Sequence, residues 1–122
     1  MDPTAKMAQM RAAVKAAGIP CYLPDVKPGP CKAPYAVIYD GGTAPIPGTR
    51  GRLGRQIIRV MILAPASDSA ALGNTIRAVL DALNALTGLH HSGELTPIDT
   101  DQERAAVYQT TDYTIQYATF GG

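Results

Sequence analysis

The segment Arg55 to Ala64, Arg-Gln-Ile-Ile-Arg-Val-Met-Ile-Leu-Ala, limits more than any other what this 122-residue chain can become. In an extended backbone Ile58, Val60 and Ile62 fall on one face, and Ile57, Arg59, Met61 and Leu63 fall on the other. Apolar side chains on both faces predict a central strand, with Arg59 near an exposed end. The longest run of apolar residues and prolines, Val60 through Ala66, is far short of the ~20 residues that a membrane-spanning helix needs. No membrane partner is expected.

A central strand needs neighbours and cover, and the flanking sequence supplies both. Residues 3–17 read as a helix, with Asp2 as a cap, Pro3 in the first position and Gly18 just past the end. Met7, Met10, Val14 and Ala17 make its apolar stripe, while Lys6, Arg11 and Lys15 lie elsewhere on the cylinder. Five prolines between residues 20 and 34 leave room for at most a short edge strand around Cys21-Tyr22-Leu23. Tyr35 to Tyr39 is a strand with Tyr35, Val37 and Tyr39 on one face. Residues 41–54 hold five glycines and two prolines with no hydrophobic period, and are expected to be a long flexible loop with a functional role.

Beyond the central strand, Ser67-Asp68 offers a cap for a helix over 68–87, whose Leu72, Ile76, Val79, Leu80, Leu83 and Leu86 keep helical spacing until Gly88. A short strand near Glu94 to Asp99 and a polar turn over 101–104 follow. The last strand runs from Val107 to Phe120, with a break expected at Thr110-Thr111-Asp112, and its Tyr113, Ile115 and Tyr117 alternate with polar or small residues. The expectation is one domain over residues 1–122 of α+β class: a mixed, mainly antiparallel four- to five-stranded sheet with two helices on one face. The order is α-β-β-(long loop)-β-α-β-β.

Little in the sequence points to catalysis. Eleven Lys and Arg against ten Asp and Glu leave a formal net charge of +1, which argues against a dedicated nucleic-acid or membrane-surface binder. Cys21 and Cys31 are expected to be free thiols in a cytosolic setting, since no secretory signal precedes them. His90 and His91 are adjacent and lack metal-ligand spacing, so they read as a solvated loop pair, with no metal expected. Gly48 to Gly54 is glycine-rich but lacks the ending of a phosphate loop and precedes a strand, so no nucleotide or other cofactor is expected. Asp99, Asp101 and Glu103 alternate without a histidine or cysteine beside them and read as a solvated turn, not an acid–base pair. No catalytic residue is assigned, and the chain reads as a non-enzyme.

Charge order is more informative than charge balance. Arg50, Arg52, Arg55 and Arg59 fall within ten residues that contain no acid, whereas residues 94–112 hold Glu94, Asp99, Asp101, Glu103 and Asp112 against the single base Arg104. One reading is two solvated surfaces. The sharper reading takes Arg50, Arg52, Arg55, Arg59, Glu94, Asp99, Asp101 and Glu103 as interface residues, the basic surface of one copy meeting the acidic surface of the next in a heterologous contact that closes into a ring.

The element order, together with Ala16-Ala17-Gly18-Ile19-Pro20, Pro34-Tyr35-Ala36-Val37-Ile38, Arg55 through Pro65, the 68–87 helix and Asp112-Tyr113-Thr114-Ile115-Gln116-Tyr117, resembles the tail terminator proteins of tailed bacteriophages and the related minor capsid and tail completion proteins. The resemblance spans nearly the whole chain and lies in order, spacing and size. It implies a structural virion protein of the tail or neck, assembled in the host cytoplasm. Its copies would form a ring, commonly a hexamer, that docks on the last ring of the tail tube, ends tube polymerisation and offers a surface to the head-side connector. DNA would only pass through the ring channel. The proline-rich 20–34 stretch is where the chain departs from that pattern. Two other readings stand beside it: a head-completion or neck protein on the connector side, and, ranked last, a small-molecule-binding or enzymatic α+β domain with Tyr22, Tyr35, Tyr39, Tyr113 and Tyr117 lining a pocket.

Overall fold

In the computed structural model, the structure describes residues 3–26, 29–45, 48 and 53–118. The elements run α1 (Pro3–Ala16), β1 (Cys21–Tyr22), β2 (Tyr35–Pro45), β3 (Leu53–Pro65), a 3₁₀ turn (Ala66–Asp68), α2 (Ala71–Asn84), β4 (His90–Leu95), β5 (Asp99–Asp101) and β6 (Ala106–Ala118). The chain is α+β, and six strands form one mixed sheet in the order β1-β2-β3-β6-β4, with β5 also on β6. Among the described residues only the β1–β2 pair is parallel. No described helix is long and apolar enough to cross a membrane.

β3 is central, as its two apolar faces require. It pairs antiparallel with β2 on one side and with β6 on the other, in unbroken register with β6 from Leu53–Ala118 to Pro65–Ala106. Ile58, Val60 and Ile62 are fully buried beneath both helices, together with Met10 and Val14 of α1, Leu72, Val79 and Leu83 of α2, and Tyr113 of β6. Both helices therefore cover one face. Leu63, on the opposite face, is fully buried in a smaller cluster with Cys31, Tyr35, Val37 and Ala106.

Several expectations are corrected here. The loop expected over 41–54 is strand at both ends: β2 continues to Pro45 and β3 starts at Leu53, with Thr43, Ala44 and Pro45 opposite Gln56, Arg55 and Gly54. A register shift between Asp40 and Gly42 makes the extension possible. There a Cβ on Gly41 would lie 2.8 Å from Ile57 Cγ2, and Gly42 adopts φ +99, so the glycines that suggested a loop instead serve a bulged hairpin. Of the connection itself, 46–52, all but Gly48 lies outside the described residues. α2 starts at Ala71 rather than 68, because a 3₁₀ turn occupies Ala66–Asp68, and its N-cap is Ala70 with no side-chain cap bond. β6 has no break at 110–112, because Thr110, Thr111 and Asp112 pair with Met61, Val60 and Arg59. The single strand expected over 94–99 is two, His90–Leu95 and Asp99–Asp101, which brings the sheet to six strands.

Lys6, expected away from the buried stripe, is only 7% exposed. Its Nζ donates to Gln9 Oε1 at 3.0 Å and to the Thr87 carbonyl at 2.9 Å, tying α1 to the chain just past α2. A lysine stem buries well while its ammonium satisfies carbonyls that a helix end leaves bare. Ala17, expected in the stripe, is exposed where the backbone leaves the helix through Gly18 at φ +88.

Cys21 belongs to the helix-side cluster and Cys31 to the cluster on the opposite face, so the sheet separates the two free thiols. Burial pushes the Cys21 thiol up to about 11, with the charges of Arg11 and Lys15 opposing only in part. We expect intact mass analysis of unreduced protein to show no loss of two hydrogens. Native Cys21 should resist alkylation at neutral pH, because a rise from 9.0 to about 11 leaves roughly a hundredfold less thiolate.

Tyr113 is buried, and its hydroxyl donates to Asn84 Oδ1 at 2.9 Å; burial pushes its phenol from 10.0 up to about 12. Both Cys21 and Tyr113 hold their protons more tightly folded than unfolded. Their stabilising contribution is therefore complete below the unfolded values and is lost as pH rises through the folded ones, from about 9 to 11 for Cys21 and from about 10 to 12 for Tyr113. The melting temperature is expected to fall over this alkaline range. Tyr113→Phe should be less stable by about 1 kcal/mol at neutral pH, through the lost hydrogen bond, yet lose less on going from pH 9 to 12.

Candidate interface on the open face of the sheet

The sheet face away from the helices is half covered. At one end the 29–34 segment folds over it: the Cys31 N–H donates to the Arg104 carbonyl at 2.6 Å, and Tyr22 meets Tyr35 edge-on with ring centroids 5.2 Å apart. The Arg104 guanidinium lies over Met61 Sδ at 4.0 Å and pairs with Asp101 at 3.6 Å. Tyr35 is 4% exposed, and its hydroxyl finds no hydrogen-bond partner among the described residues; burial raises its phenol above the ordinary value.

Towards the β2–β3 hairpin the cover ends. Register places Tyr39, Arg59 and Asp112 in one row across β2, β3 and β6. Arg59 Nε approaches Asp112 Oδ1 at 3.4 Å, with both side chains more than a third exposed. Beside this pair lies a groove of about 440 Å³ whose wall is β4 and the residues just after it, Ser92 to Thr96. The wall exists because β4 loses register with β6 between His91 and Leu95. It is held by Thr111 Oγ1 donating to the Glu94 carbonyl at 2.6 Å, by the Thr110 N–H donating to Thr96 Oγ1 at 2.9 Å, and by Gln109 Nε2 donating to the Thr96 carbonyl at 2.7 Å.

His91 also corrects the sequence reading, since His90 and His91 lie in β4 and not in a solvated loop. The His91 ring packs against Tyr113 at 4.8 Å, and its Nε2 lies 2.7 Å from Thr111 Oγ1. The single hydroxyl proton of Thr111 goes to Glu94, so Nε2 must donate, which fixes the His91 tautomer. A structural role for this histidine follows.

The expected interface residues separate into distinct groups. Arg50 and Arg52 lie outside the described residues. Arg55 is exposed on β3 with no ion pair among the described residues, and Arg59 is engaged by Asp112. Glu94 stands in the groove wall with a carboxylate that makes no ion pair among the described residues. Asp99 accepts from the Thr100 N–H at 2.8 Å and from Tyr108 Oη at 3.3 Å, and its charge raises the Tyr108 phenol. Asp101 is occupied by Arg104, and Glu103 is exposed in the turn. Along β6 the basic end is marked by Gln116, opposite Arg55, and the acidic end by Ala106, opposite Asp101. Ten residues of strand separate them, roughly 33 Å at about 3.3 Å per residue. Screening over about 8 Å means the two ends do not neutralise each other within one chain.

Register brought in residues that order alone does not select. Tyr39, Thr96, Thr110 and Asp112 join the groove only because three strands align there. The tyrosines do not share one pocket: Tyr22 and Tyr35 line a cavity of about 190 Å³ under the 29–34 segment, Tyr39 lines the groove, Tyr113 is in the helix-side core, and the Tyr117 side chain lies outside the described residues. Among the described residues no group of three His, Cys, Asp or Glu side chains could hold a metal ion.

Because Arg59 and Asp112 are solvated, their pairing is worth at most about 1 kcal/mol. A double-mutant cycle with Arg59→Ala and Asp112→Ala should give a coupling below that figure, vanishing in about 1 M salt. A larger coupling would place the pair in a drier environment than the open face provides.

No protein-family model matches this chain, and no curated protein matches it.

Proposed function

We propose that this chain is a non-enzymatic virion joining protein of the tail-terminator type, whose copies form a ring that ends tail-tube growth and presents a surface to the head-side connector. One observation carries the reading. Exposed Arg55 stands at the hairpin end of the sheet and exposed Asp99 and Glu103 stand near the other end, roughly 33 Å away along β6 at about 3.3 Å per residue, beyond pairing distance within a chain. A molecule charged in this way satisfies its ends by meeting a second copy head to tail, and a head-to-tail contact closes into a ring when the rotation permits. The α+β fold is what the resemblance implies, and with both helices on one face the hairpin end of the opposite face stays open for such contacts. Tube protein and connector are the partners of the assembled ring, with DNA only passing through it.

Light scattering on the eluted protein tests the reading. A ring of six 12.8 kDa subunits weighs about 77 kDa, and it should dissociate as salt is raised. Arg50→Glu with Arg52→Glu is expected to give monomers with unchanged circular dichroism, because charge reversal in a glycine-flanked connection leaves the core intact. A double variant that still forms rings would remove these arginines from the contact.

A further inference from the structure

The groove beside the Arg59–Asp112 pair is acidic on balance, since its lining holds two acids, Asp112 and Glu94, and one base, Arg59. Arg59 engages Asp112 through Nε alone at 3.4 Å, and the Glu94 carboxylate has no cation among the described residues. Ser92, Thr96 and Thr110 contribute hydroxyls, and the half-buried Tyr39 contributes a ring at the edge. Carboxylates, hydroxyls and an aromatic edge around a concavity of about 440 Å³ suit a planar guanidinium carried on a short stretch of backbone. Glu94 is held at the rim by its own backbone: its carbonyl takes the Thr111 hydroxyl, and its N–H donates to Ser92 Oγ at 3.3 Å.

On charge grounds the occupant is this same chain. Residues 46–55, Ile-Pro-Gly-Thr-Arg-Gly-Arg-Leu-Gly-Arg, carry Arg50, Arg52 and Arg55 and no acid, a wholly basic stretch opposite in sign to the groove. Resting on the joining reading above, we propose that the groove between β4 and the open sheet face is the acceptor for the arginines of the β2–β3 connection of a second copy, with Glu94 as the carboxylate that receives them. Arginine is favoured over lysine because its fork of donors meets a carboxylate at two points. The contact is heterologous: each copy gives its hairpin end to one neighbour and its groove to the other.

Complementary variants test this on the full chain. A donor-dead chain, Arg50→Glu, Arg52→Glu and Arg55→Glu, and an acceptor-dead chain, Glu94→Lys, should each be monomeric alone. Mixed one to one they retain one working contact, so the mixture should give heterodimers of about 26 kDa and no rings. The altered described positions, Arg55 and Glu94, are exposed, and circular dichroism checks that both chains fold. A capped synthetic peptide of residues 46–55 should bind the donor-dead chain, shifting the amide resonances of Ser92, Thr96 and Thr110. Its affinity should fall about tenfold when Glu94→Gln is added, and by a smaller factor when its arginines become lysines. The groove assignment is overturned if wild type forms rings while either variant alone still does, if the mixture stays monomeric, or if the peptide binds equally well with and without Glu94→Gln. A wild-type chain that stays monomeric at every concentration overturns the joining reading itself, and this inference with it.

Discussion

The pairing of β3 with β2 and β6 holds everything else in place. Its thirteen residues run in unbroken register against β6, and its Ile58, Val60 and Ile62 lie under both helices while Leu63 anchors the smaller cluster on the opposite face. Each fully buried aliphatic side chain of this kind contributes about 1.5–3 kcal/mol against exposure, so four of them on one strand outweigh any single polar contact described above. Ion pairs, by contrast, sit at the margin. The half-exposed Arg59–Asp112 pair marks where the open face begins, and its small energy is spent on position rather than on stability.

The two faces of the sheet divide the labour. Helix cover is continuous and apolar, with Lys6 fastening α1 to the end of α2 through the Thr87 carbonyl. The other face is closed at the Cys31 end and open at the hairpin end. Both sheet margins are unsuited to growth: β1 is two residues long between Pro20 and Pro24, β2 is bulged at Asp40 to Gly42, and the opposite margin is split into β4 and β5 by a lost register. Short, bulged edges are how sheets avoid adding further strands. Association by faces and ends, which can close, is what such a sheet leaves available.

Much of this architecture was legible in the sequence, for identifiable reasons. Alternation exposed the central strand and the faces of β2 and β6, and 3.6-residue spacing exposed α2, whose buried Leu72, Ile76, Val79 and Leu83 match the expected stripe. What composition misled was the hairpin: Gly41, Gly42 and Pro45 signal a loop locally, and only a partner strand passing within 2.8 Å of where a Cβ would stand turns that glycine into a bulge. The burial of Lys6 was hidden because its acceptor lies 81 residues away. The groove was half legible. The segregation of arginines from acids is a sequence property, but the row of Tyr39, Arg59 and Asp112, and the wall made by Ser92 to Thr96, arise from register, which no local pattern encodes.

The position of β6 has a consequence for how the chain is made. Although last in the described order, it lies inside the sheet, between β3 and β4. During synthesis β3, already complete at Pro65, therefore keeps one long edge of backbone N–H and C=O groups unpaired until residues 106–118 leave the ribosome. At about 5–20 residues per second the wait is of the order of several seconds. α2 is made within that interval and can cover one face of β3 before the edge is paired, so it is the edge that stays open to misassociation with other nascent copies.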